Sequence, residues 1–366
     1  MNIVVSKEEL NAAIAMVQKA ISTRSTLAIL DGILLEAIDD KLILTGYDLE
    51  TGIECRVPAS IKSGGKIVLR SKLFGDIVRK LPEERVSIEK SEAGPVVICS
   101  GQARYEIDFM EGEYPKIPEV EKTKQFAISQ NTLREMINET IFAASNDESR
   151  PILNGINLLC EGSKLELVAI DGFRLAVRTE EMEDKDENLQ FIVPAKAMQE
   201  VARIIEKSDE PVNLYSSHNY ILFDNGHVRL VSRLIQGEFM QYEAIIPNSY
   251  MSQITISREE LLAAVERCAL IINMEQRRFP ITLKSELQSK LVISAATDIG
   301  SAHEELNCRI EGEEVDIDFN PRYFLEALKN IPDSEIRLDF GGGGTSCVIR
   351  PLEGEKFLYL LLPVRR

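Results

Sequence analysis

The sequence predicts an α+β fold of three repeated domains, because one unit occurs three times in its 366 residues at a spacing of roughly 125. Each copy combines a serine-capped helix, hairpin strands and a second helix. Some residues recur at nearly the same distance from the start of each copy. They are Lys41-Leu42, Lys164-Leu165 and Lys290-Leu291, and also Asp48, Asp171 and Asp298. Features common to all copies are therefore expected to be structural, and a feature of one copy is a candidate for function.

The length of the chain favours two or three domains, and the repeat selects three. Polar linkers near 118–125 and 246–253 place the boundaries, each marked by a proline. The predicted domains are 1–121, 122–250 and 251–366. Each of them is long enough to bury its own core.

The first helix of each copy is expected to start at a serine, namely Ser6, Ser129 or Ser257. A serine hydroxyl can accept a hydrogen bond from a free backbone N–H in the first helical turn. Val or Ile precedes each serine and Leu follows four residues after it, which forms a hydrophobic staple. Glu9 and Glu260 complete capping boxes in the first and third copies.

Strands and a second helix follow in every copy. Alternating segments such as 41–44 and 164–167 predict strands in hairpins. The second helices are predicted near 71–81, 195–206 and 321–330, each ending at a proline-containing segment that leads into another strand. Six helices and many antiparallel strands give the α+β class.

The charge of the chain is uneven. A net charge of −17, from 42 basic and 59 acidic residues, argues against tight binding to nucleic acid. The predicted helical windows hold 18 Lys or Arg and 14 Asp or Glu, so the remainder of the chain carries −21. These windows are 6–24, 70–81, 129–150, 194–207, 257–278 and 321–330. Six helices on one face would make that face positive, whereas the alternative is ordinary helix surface of mixed charge.

Several classes of protein are disfavoured by the sequence. No apolar run approaches the roughly 18 residues of a membrane span, so no membrane partner is expected. The start of the chain does not resemble a secretory signal, and six cysteines without a Cys-x-x-Cys pair predict reduced thiols in a cytoplasmic protein. The three histidines lack metal-ligand spacing, and no nucleophile has an adjacent base. We therefore expect neither a catalytic residue nor a metal or other cofactor.

Three motifs carry a resemblance that covers the whole chain. They are Arg150-Pro151-Ile152-Leu153-Asn154-Gly155, Ala169-Ile170-Asp171-Gly172-Phe173-Arg174-Leu175-Ala176 and Leu360-Leu361-Leu362-Pro363-Val364-Arg365. Together with the repeat, they resemble the bacterial sliding clamp family, the beta subunit of DNA polymerase III. The resemblance implies a six-domain ring made by two chains head to tail, with helices lining the hole and antiparallel sheets outside. Double-stranded DNA would pass through the hole, bound without sequence preference, and polymerase would be tethered to it.

The resemblance also implies a peptide-binding groove between the second and third domains. Its expected partners are the catalytic subunit of DNA polymerase III, the clamp loader and repair polymerases, all through short linear peptides. The implied groove residues are Leu153, Ile170, Gly172, Phe173, Arg174, Leu175, Met240, Ala244, Ile245, Leu360, Leu362, Pro363, Val364 and Arg365. The repeat agrees, because Gly172-Phe173-Arg174-Leu175 has no counterpart at 49–52 or 299–302. Met240 stands where the family often has proline, and Ala244 where it often has arginine.

Two further sets follow from the resemblance. The DNA-binding candidates are Arg24, Arg150, Lys196, Arg277, Arg278, Asn320 and Tyr323, although each could instead be a solvated or capping residue. The homodimer contact is expected between Tyr105 and Ile107 of the first domain and Ile271 and Ile272 of the third.

The function predicted from these observations is that of a replicative sliding clamp, a processivity factor without catalysis. One alternative is a scaffold that uses the same groove without forming a ring. Another is an enzyme with a composite site between repeats, which the missing catalytic chemistry disfavours.

Overall fold

The computed structural model describes residues 1–21, 27–91, 94–121, 124–182, 188–272, 279–286, 289–341 and 345–364. These residues contain six helices: α1 (Lys7–Val17), α2 (Ser71–Lys80), α3 (Gln130–Ile141), α4 (Ala195–Ile204), α5 (Arg258–Ala269) and α6 (Pro321–Lys329). Each third of the chain thus contributes two helices, as the repeat predicts.

The strands are numbered in chain order. The first nine are β1 (Asn2–Ser6), β2 (Gly32–Ile38), β3 (Lys41–Tyr47), β4 (Thr51–Ser63), β5 (Gly65–Arg70), β6 (Arg85–Lys90), β7 (Val96–Ser100), β8 (Ala103–Ile107) and β9 (Lys124–Ser129). The next seven are β10 (Gly155–Glu161), β11 (Lys164–Ile170), β12 (Arg174–Glu181), β13 (Leu189–Pro194), β14 (Pro211–Ser216), β15 (Tyr220–Asp224) and β16 (Val228–Arg233). The last nine are β17 (Ser252–Ser257), β18 (Ile281–Glu286), β19 (Lys290–Thr297), β20 (Gly300–Asn307), β21 (Arg309–Gly312), β22 (Asp316–Phe319), β23 (Glu335–Phe340), β24 (Cys347–Pro351) and β25 (Phe357–Leu361).

The chain forms two compact units, and the second copy contributes to both. The first unit contains residues 1–132 and 200–234, and the second contains 133–199 and 235–366. In the first unit, twelve strands form one sheet with the main order β8-β7-β6-β1-β4-β16-β15-β14-β9. There β4 of the first copy pairs antiparallel with β16 of the second.

The second unit has a nine-stranded sheet and a four-stranded sheet. The larger follows the order β13-β10-β11-β12-β25-β24-β23-β17-β21, and the smaller β20-β19-β18-β22. The second and third copies meet in the larger sheet, where β12 pairs antiparallel with β25. Because Leu175 lies opposite Leu360 in this pairing, their side chains are neighbours on one face of the sheet.

The helix starts follow the predicted serine caps. The Ser6 hydroxyl accepts from the Glu9 N–H at 3.3 Å, and Ser257 accepts from Glu260 at 3.3 Å. Ser129 accepts from Thr132 at 3.5 Å. The staple residues before and after each serine are buried in all three copies. Local sequence therefore sets where these helices begin.

The first helix of each copy is shorter than its predicted window, and this changes the charge argument. α1, α3 and α5 end at Val17, Ile141 and Ala269. The six helices themselves hold 11 Lys or Arg and 10 Asp or Glu, so they are almost neutral. The predicted basic character of the helices was wrong, because the excess lies in flanking residues such as Arg70, Arg150 and Lys207.

Two further features concern the cysteines and the length of the helices. All six cysteines are free, and burial raises the pKa of the Cys55 thiol to about 12. In the part of the chain that the structure describes, the helices lack the length and apolar character needed to span a membrane.

Candidate functional site: an apolar groove in the second unit

A tight turn between β11 and β12 presents the sequence that is unique to the second copy. The Asp171 carboxylate accepts hydrogen bonds from the N–H groups of Phe173 at 2.9 Å and Arg174 at 3.1 Å. Gly172 has a φ of +92°, which glycine adopts without steric cost. The turn holds Phe173 outward, with 55% of its surface exposed.

The strand that follows sends alternate side chains to opposite faces of the sheet. Leu175 and Val177 join the hydrophobic cluster in front, together with Ile170 and Leu360. Arg174 and Arg178 point to the other face, where each binds carboxylates. β12 therefore has an apolar face, which contains Leu175 and Val177 and is called the front, and an ionic face, which contains Arg174 and Arg178 and is called the back.

The front face carries a buried apolar cluster. We interpret this cluster as the floor of the predicted groove, and the exposed apolar side chains among the predicted groove residues as its rim. Ile170, Leu175 and Leu360 make the floor and are at most 3% exposed. Leu153 packs against the same cluster at its margin. The exposed apolar side chains of the rim are Phe173, Met240, Ile245, Leu362 and Val364. Exposed apolar side chains around a formed apolar floor are typical of a protein-binding surface.

The C-terminal tail is fixed along one side of this groove. After β25 ends, the N–H of Leu362 donates to the Phe173 carbonyl at 2.9 Å. The N–H of Val364 donates to the Asp318 carbonyl at 2.8 Å. Pro363 lies between them and is partly buried. Two backbone anchors thus order the tail, whereas Arg365 lies outside the described residues.

Arg174 lies behind the groove rather than in its lining. Its side chain is 6% exposed, and its Nε donates to the Asp171 carboxylate at 2.9 Å. A terminal guanidinium nitrogen pairs with Glu326 of α6. The guanidinium carbon lies 4.6 Å from the ring centre of Tyr323 and 5.5 Å from that of Phe142. The assignment of Arg174 to the groove stays a prediction, and the contacts that the structure shows join it to the Asp171 turn and to α6.

Two residues predicted to bind DNA have other contacts here. The Tyr323 ring stacks on Phe173, with centres 6.1 Å apart and an angle of 22° between the planes. Asn320 caps α6, since its side-chain oxygen accepts from the Arg322 N–H at 3.0 Å. Tyr323 therefore contacts a predicted groove residue and Asn320 caps α6, while the assignment of both to DNA binding stays a prediction.

The other DNA candidates are not brought together into one described site. Arg150 and Lys196 are exposed, and the guanidinium of Arg150 lies close to Gly172. Arg24, Arg277 and Arg278 lie outside the described residues. The assignment of all five to DNA binding stays a prediction.

The predicted dimer residues differ in accessibility. Tyr105 is 37% exposed on β8, and Ile107 and Ile271 are partly buried. Ile272 is 6% exposed and belongs to the core of its own chain, so it is poorly placed for a dimer contact. Leu270 and Ile299 are the most exposed large apolar side chains among the described residues, at 83% and 84%. α5 ends at Ala269, so Leu270 follows directly after the helix.

The sequence reasoning also missed four residues that build the groove. Phe142 and Glu326 support Arg174, and Phe239 and Tyr242 belong to the apolar cluster. Burial, together with a 2.6 Å hydrogen bond from Tyr242 to Glu166, raises the pKa of Tyr242. Phe239 and Tyr242 lie within two residues of Met240 in sequence, which was the available signal for them, whereas Phe142 and Glu326 lie in none of the three motifs.

The carboxylate of Glu326 is shared between two arginines. It accepts from Arg322 Nε at 2.7 Å and pairs with Arg174. Burial would raise the pKa of Glu326, but the hydrogen bonds from these two arginines outweigh burial and lower it. Behind the groove wall, two cations, Arg174 and Arg322, are therefore balanced by two anions, Asp171 and Glu326.

The groove has the character of a binding surface. Among the described residues, no group of His, Cys, Asp and Glu side chains has the arrangement of a metal site. Apolar contact with Phe173, Met240 and Ile245 is the chemistry that the front of the groove offers.

Comparison with known proteins matches three segments, which together make up most of the chain, to domains of one family. Profiles for the DNA polymerase III beta subunit match residues 1–118 with its N-terminal domain, 127–241 with its central domain and 243–365 with its C-terminal domain. The beta sliding clamp of Bacillus subtilis is 33% identical over 377 residues, covering 100% of both chains. That of Staphylococcus epidermidis is 33% identical over 357 residues, covering 95% of this chain and 94% of the relative.

Solved structures agree over the full length. The DNA polymerase sliding clamp from Bacillus subtilis superimposes with a TM-score of 0.96 at 33% identity, covering 100% of this chain and 99% of that chain. A sliding clamp from Pseudomonas aeruginosa, crystallised with griselimycin bound, gives a TM-score of 0.94 at 26% identity and covers 100% of both chains.

Proposed function

Because this chain belongs to the DNA polymerase III beta subunit family, we propose that two copies close into a ring around double-stranded DNA and bind partner peptides in the groove. The chain is a sliding clamp, a replicative processivity factor with no catalytic activity of its own. The proposed domains are 1–121, 122–250 and 251–366, and the proposed location is the cytoplasm.

The charge of the chain supports topological rather than tight ionic binding of DNA. A net charge of −17 and nearly neutral helices cannot supply the cationic surface of a high-affinity DNA-binding protein. A closed ring needs only weak, sequence-independent contact with phosphates, which also permits sliding. Arg150 and Lys196, together with Arg24, Arg277 and Arg278, are the proposed sources of that contact.

Two edge strands support the proposed homodimer. β8 ends the sheet of the first unit, and β20 ends the small sheet of the second. Exposed strand edges readily pair with another chain. Arg267 of α5 bonds to Glu304 of β20 at 2.7 Å, so the end of α5 that precedes Leu270 lies beside that edge. A head-to-tail contact of β8 with β20, made twice, would close a two-chain ring.

The groove is the proposed docking site for the catalytic subunit of DNA polymerase III, the clamp loader and repair polymerases. One observation carries this proposal: five of the predicted groove residues are exposed apolar side chains, and three others, Ile170, Leu175 and Leu360, are buried in one apolar cluster. Short peptides gain most of their affinity from a few apolar anchors placed in such a groove.

The ring is tested by loading the protein on closed circular DNA with a clamp loader. We expect the protein to remain bound in high salt and to be lost after the circle is cut once. Equal loss from closed and cut DNA would refute encirclement and favour the scaffold without a ring. A mass measurement of the free protein in solution gives the number of chains.

The groove is tested with griselimycin as the probe, measured by titration calorimetry. Deleting residues 362–366 should abolish binding, because Leu362 and Val364 form one side of the rim, and should leave the dimer mass unchanged. Leu352→Ser is the control, since Leu352 is also exposed but lies outside the groove set. Full affinity after the deletion would mean that the groove is placed wrongly.

A further inference from the structure

Glu326 connects the helix behind the groove to the turn that forms its rim. Tyr323 and Glu326 are three residues apart on α6, so both side chains lie on one face of the helix. Both contact Arg174, Tyr323 with its ring and Glu326 with its carboxylate. α6 therefore holds the guanidinium of Arg174, although Arg174 is 152 residues away from Glu326 in sequence.

The guanidinium is part of a continuous stack that ends at the rim. Phe142 and Tyr323 both contact Arg174 through their rings, and Tyr323 in turn stacks on Phe173. The Asp171 carboxylate binds Arg174 and also accepts from the backbone N–H of Phe173. The position of Phe173 is thus determined by the stack and by the turn, and Arg174 belongs to both.

Two carboxylates hold Arg174, but they act on different elements. Asp171 belongs to the turn itself, so its bond with Arg174 is local in sequence. Glu326 is 152 residues from Arg174 and is the ionic link from that guanidinium to α6. A partly buried ion pair with good hydrogen-bond geometry fixes the relative position of the two elements that it joins.

We propose that Glu326 is a positioning residue of the groove, which acts through Arg174 and Tyr323 to hold Phe173 in the conformation that receives the partner. This inference rests on the proposed peptide-binding function. Glu326 does not contact the partner, because it lies on the ionic back of β12. Its loss should leave the apolar floor in place and loosen the rim.

The position of Phe173 can be measured without any ligand. The chain contains no tryptophan, so Phe173→Trp introduces a single indole at the rim. Adding Glu326→Gln should make this indole more accessible to acrylamide quenching and lower its fluorescence anisotropy. The matched control is Glu266→Gln, which removes a 2.9 Å ion pair between α5 and Lys329 of α6, away from Arg174. Equal acrylamide quenching of the indole after Glu326→Gln and after Glu266→Gln would overturn the inference.

The functional consequence is measured with griselimycin on otherwise unmodified protein. Glu326→Gln should weaken binding about tenfold, within the usual range of energetic coupling between two sites. Glu326→Asp keeps the charge and should recover part of the affinity, whereas Glu266→Gln should leave it unchanged. Unfolding curves for each variant show whether the chain is folded.

The two proposals fail in different ways. Griselimycin that does not bind, or that binds equally after removal of residues 362–366, contradicts the groove, and the quenching of Trp at position 173 still decides the role of Glu326. Binding that requires the tail but is the same for Glu326→Gln and Glu266→Gln contradicts the positioning role alone.

Discussion

The turns at Asp48 and Asp171 share one backbone conformation and differ in their side chains. Asp48 accepts from the N–H groups of Glu50 at 3.0 Å and Thr51 at 2.7 Å, as Asp171 does from the two corresponding residues. Leu49 has a φ of +78° where Gly172 has +92°. The aspartate therefore stabilises the backbone of the turn, and the side chains of the residues after it determine the function of each turn.

The first turn carries Glu50 and Thr51 where the second carries Phe173 and Arg174. A charged tip cannot anchor an apolar peptide, and threonine cannot replace the guanidinium that joins the second turn to α6. The third copy departs further, because Thr297 pairs with Gly300 across a two-residue hairpin. There Thr297 accepts from the Ile299 N–H at 3.3 Å, the role that aspartate has in the other turns.

The largest expected effect comes from removing Arg174. Arg174→Ala leaves Asp171 and Glu326 without their shared cation and should lower the free energy of unfolding by about 3–5 kcal/mol. The corresponding change in the first turn, Thr51→Ala, should cost less than about 1 kcal/mol. Urea denaturation of both variants measures the difference. Similar values would mean that the two turns are supported in the same way.

An intermediate effect is expected from exchanging the tips of the turns. Phe173→Glu gives the second turn the residue of the first and should weaken binding of the peptide proposed for the groove about 30-fold, as expected for loss of an aromatic anchor. Its free energy of unfolding should fall by no more than about 1.5 kcal/mol, since the half-exposed ring loses its stacking on Tyr323. Glu50→Phe should create no second binding site. Retained affinity in Phe173→Glu would remove Phe173 from the groove.

The smallest effect concerns the residue with a positive φ in each turn, Leu49 in the first and Gly172 in the second. Gly172→Ala should cost about 1 kcal/mol through its backbone conformation alone, because the added Cβ would lie 3.7 Å from Arg150, an ordinary contact. Leu49→Gly should stabilise the protein by about 0.5 kcal/mol, since relief of strain exceeds the entropy cost of glycine. Thermal unfolding measures both, and destabilisation by Leu49→Gly would show that its side chain contributes packing.

Much of the fold was predictable because its signals are local. The serine caps and leucine staples located three helix starts, and α2, α4 and α6 fell within their predicted ranges. The ends of α1, α3 and α5 were predicted too late, since apolar spacing continues after the helix stops. The pairing of β4 with β16 has no local signal at all, because it joins two different copies.

The site was predictable to the extent that it differs from the other copies. The repeat identified Gly172-Phe173-Arg174-Leu175, but it could not separate Leu175 in the floor from Arg174 behind the wall. That distinction depends on strand direction and on Glu326, which is 152 residues away from Arg174. The burial of Ile272 and the stacking of Tyr323 on Phe173 could not be predicted for the same reason, since both are set by tertiary packing.

The strand pairings between copies impose an order on synthesis of the chain. The segment of β4 that pairs with β16 is made about 180 residues before its partner, and β12 leaves the ribosome about as long before β25. At roughly 5–20 residues per second, each of these strands waits on the order of ten to forty seconds with one backbone edge unpaired. The nascent second copy therefore needs strands of both the first and the third copy before its sheets are complete. Premature termination between copies would leave strand edges unpaired and yield aggregation-prone fragments.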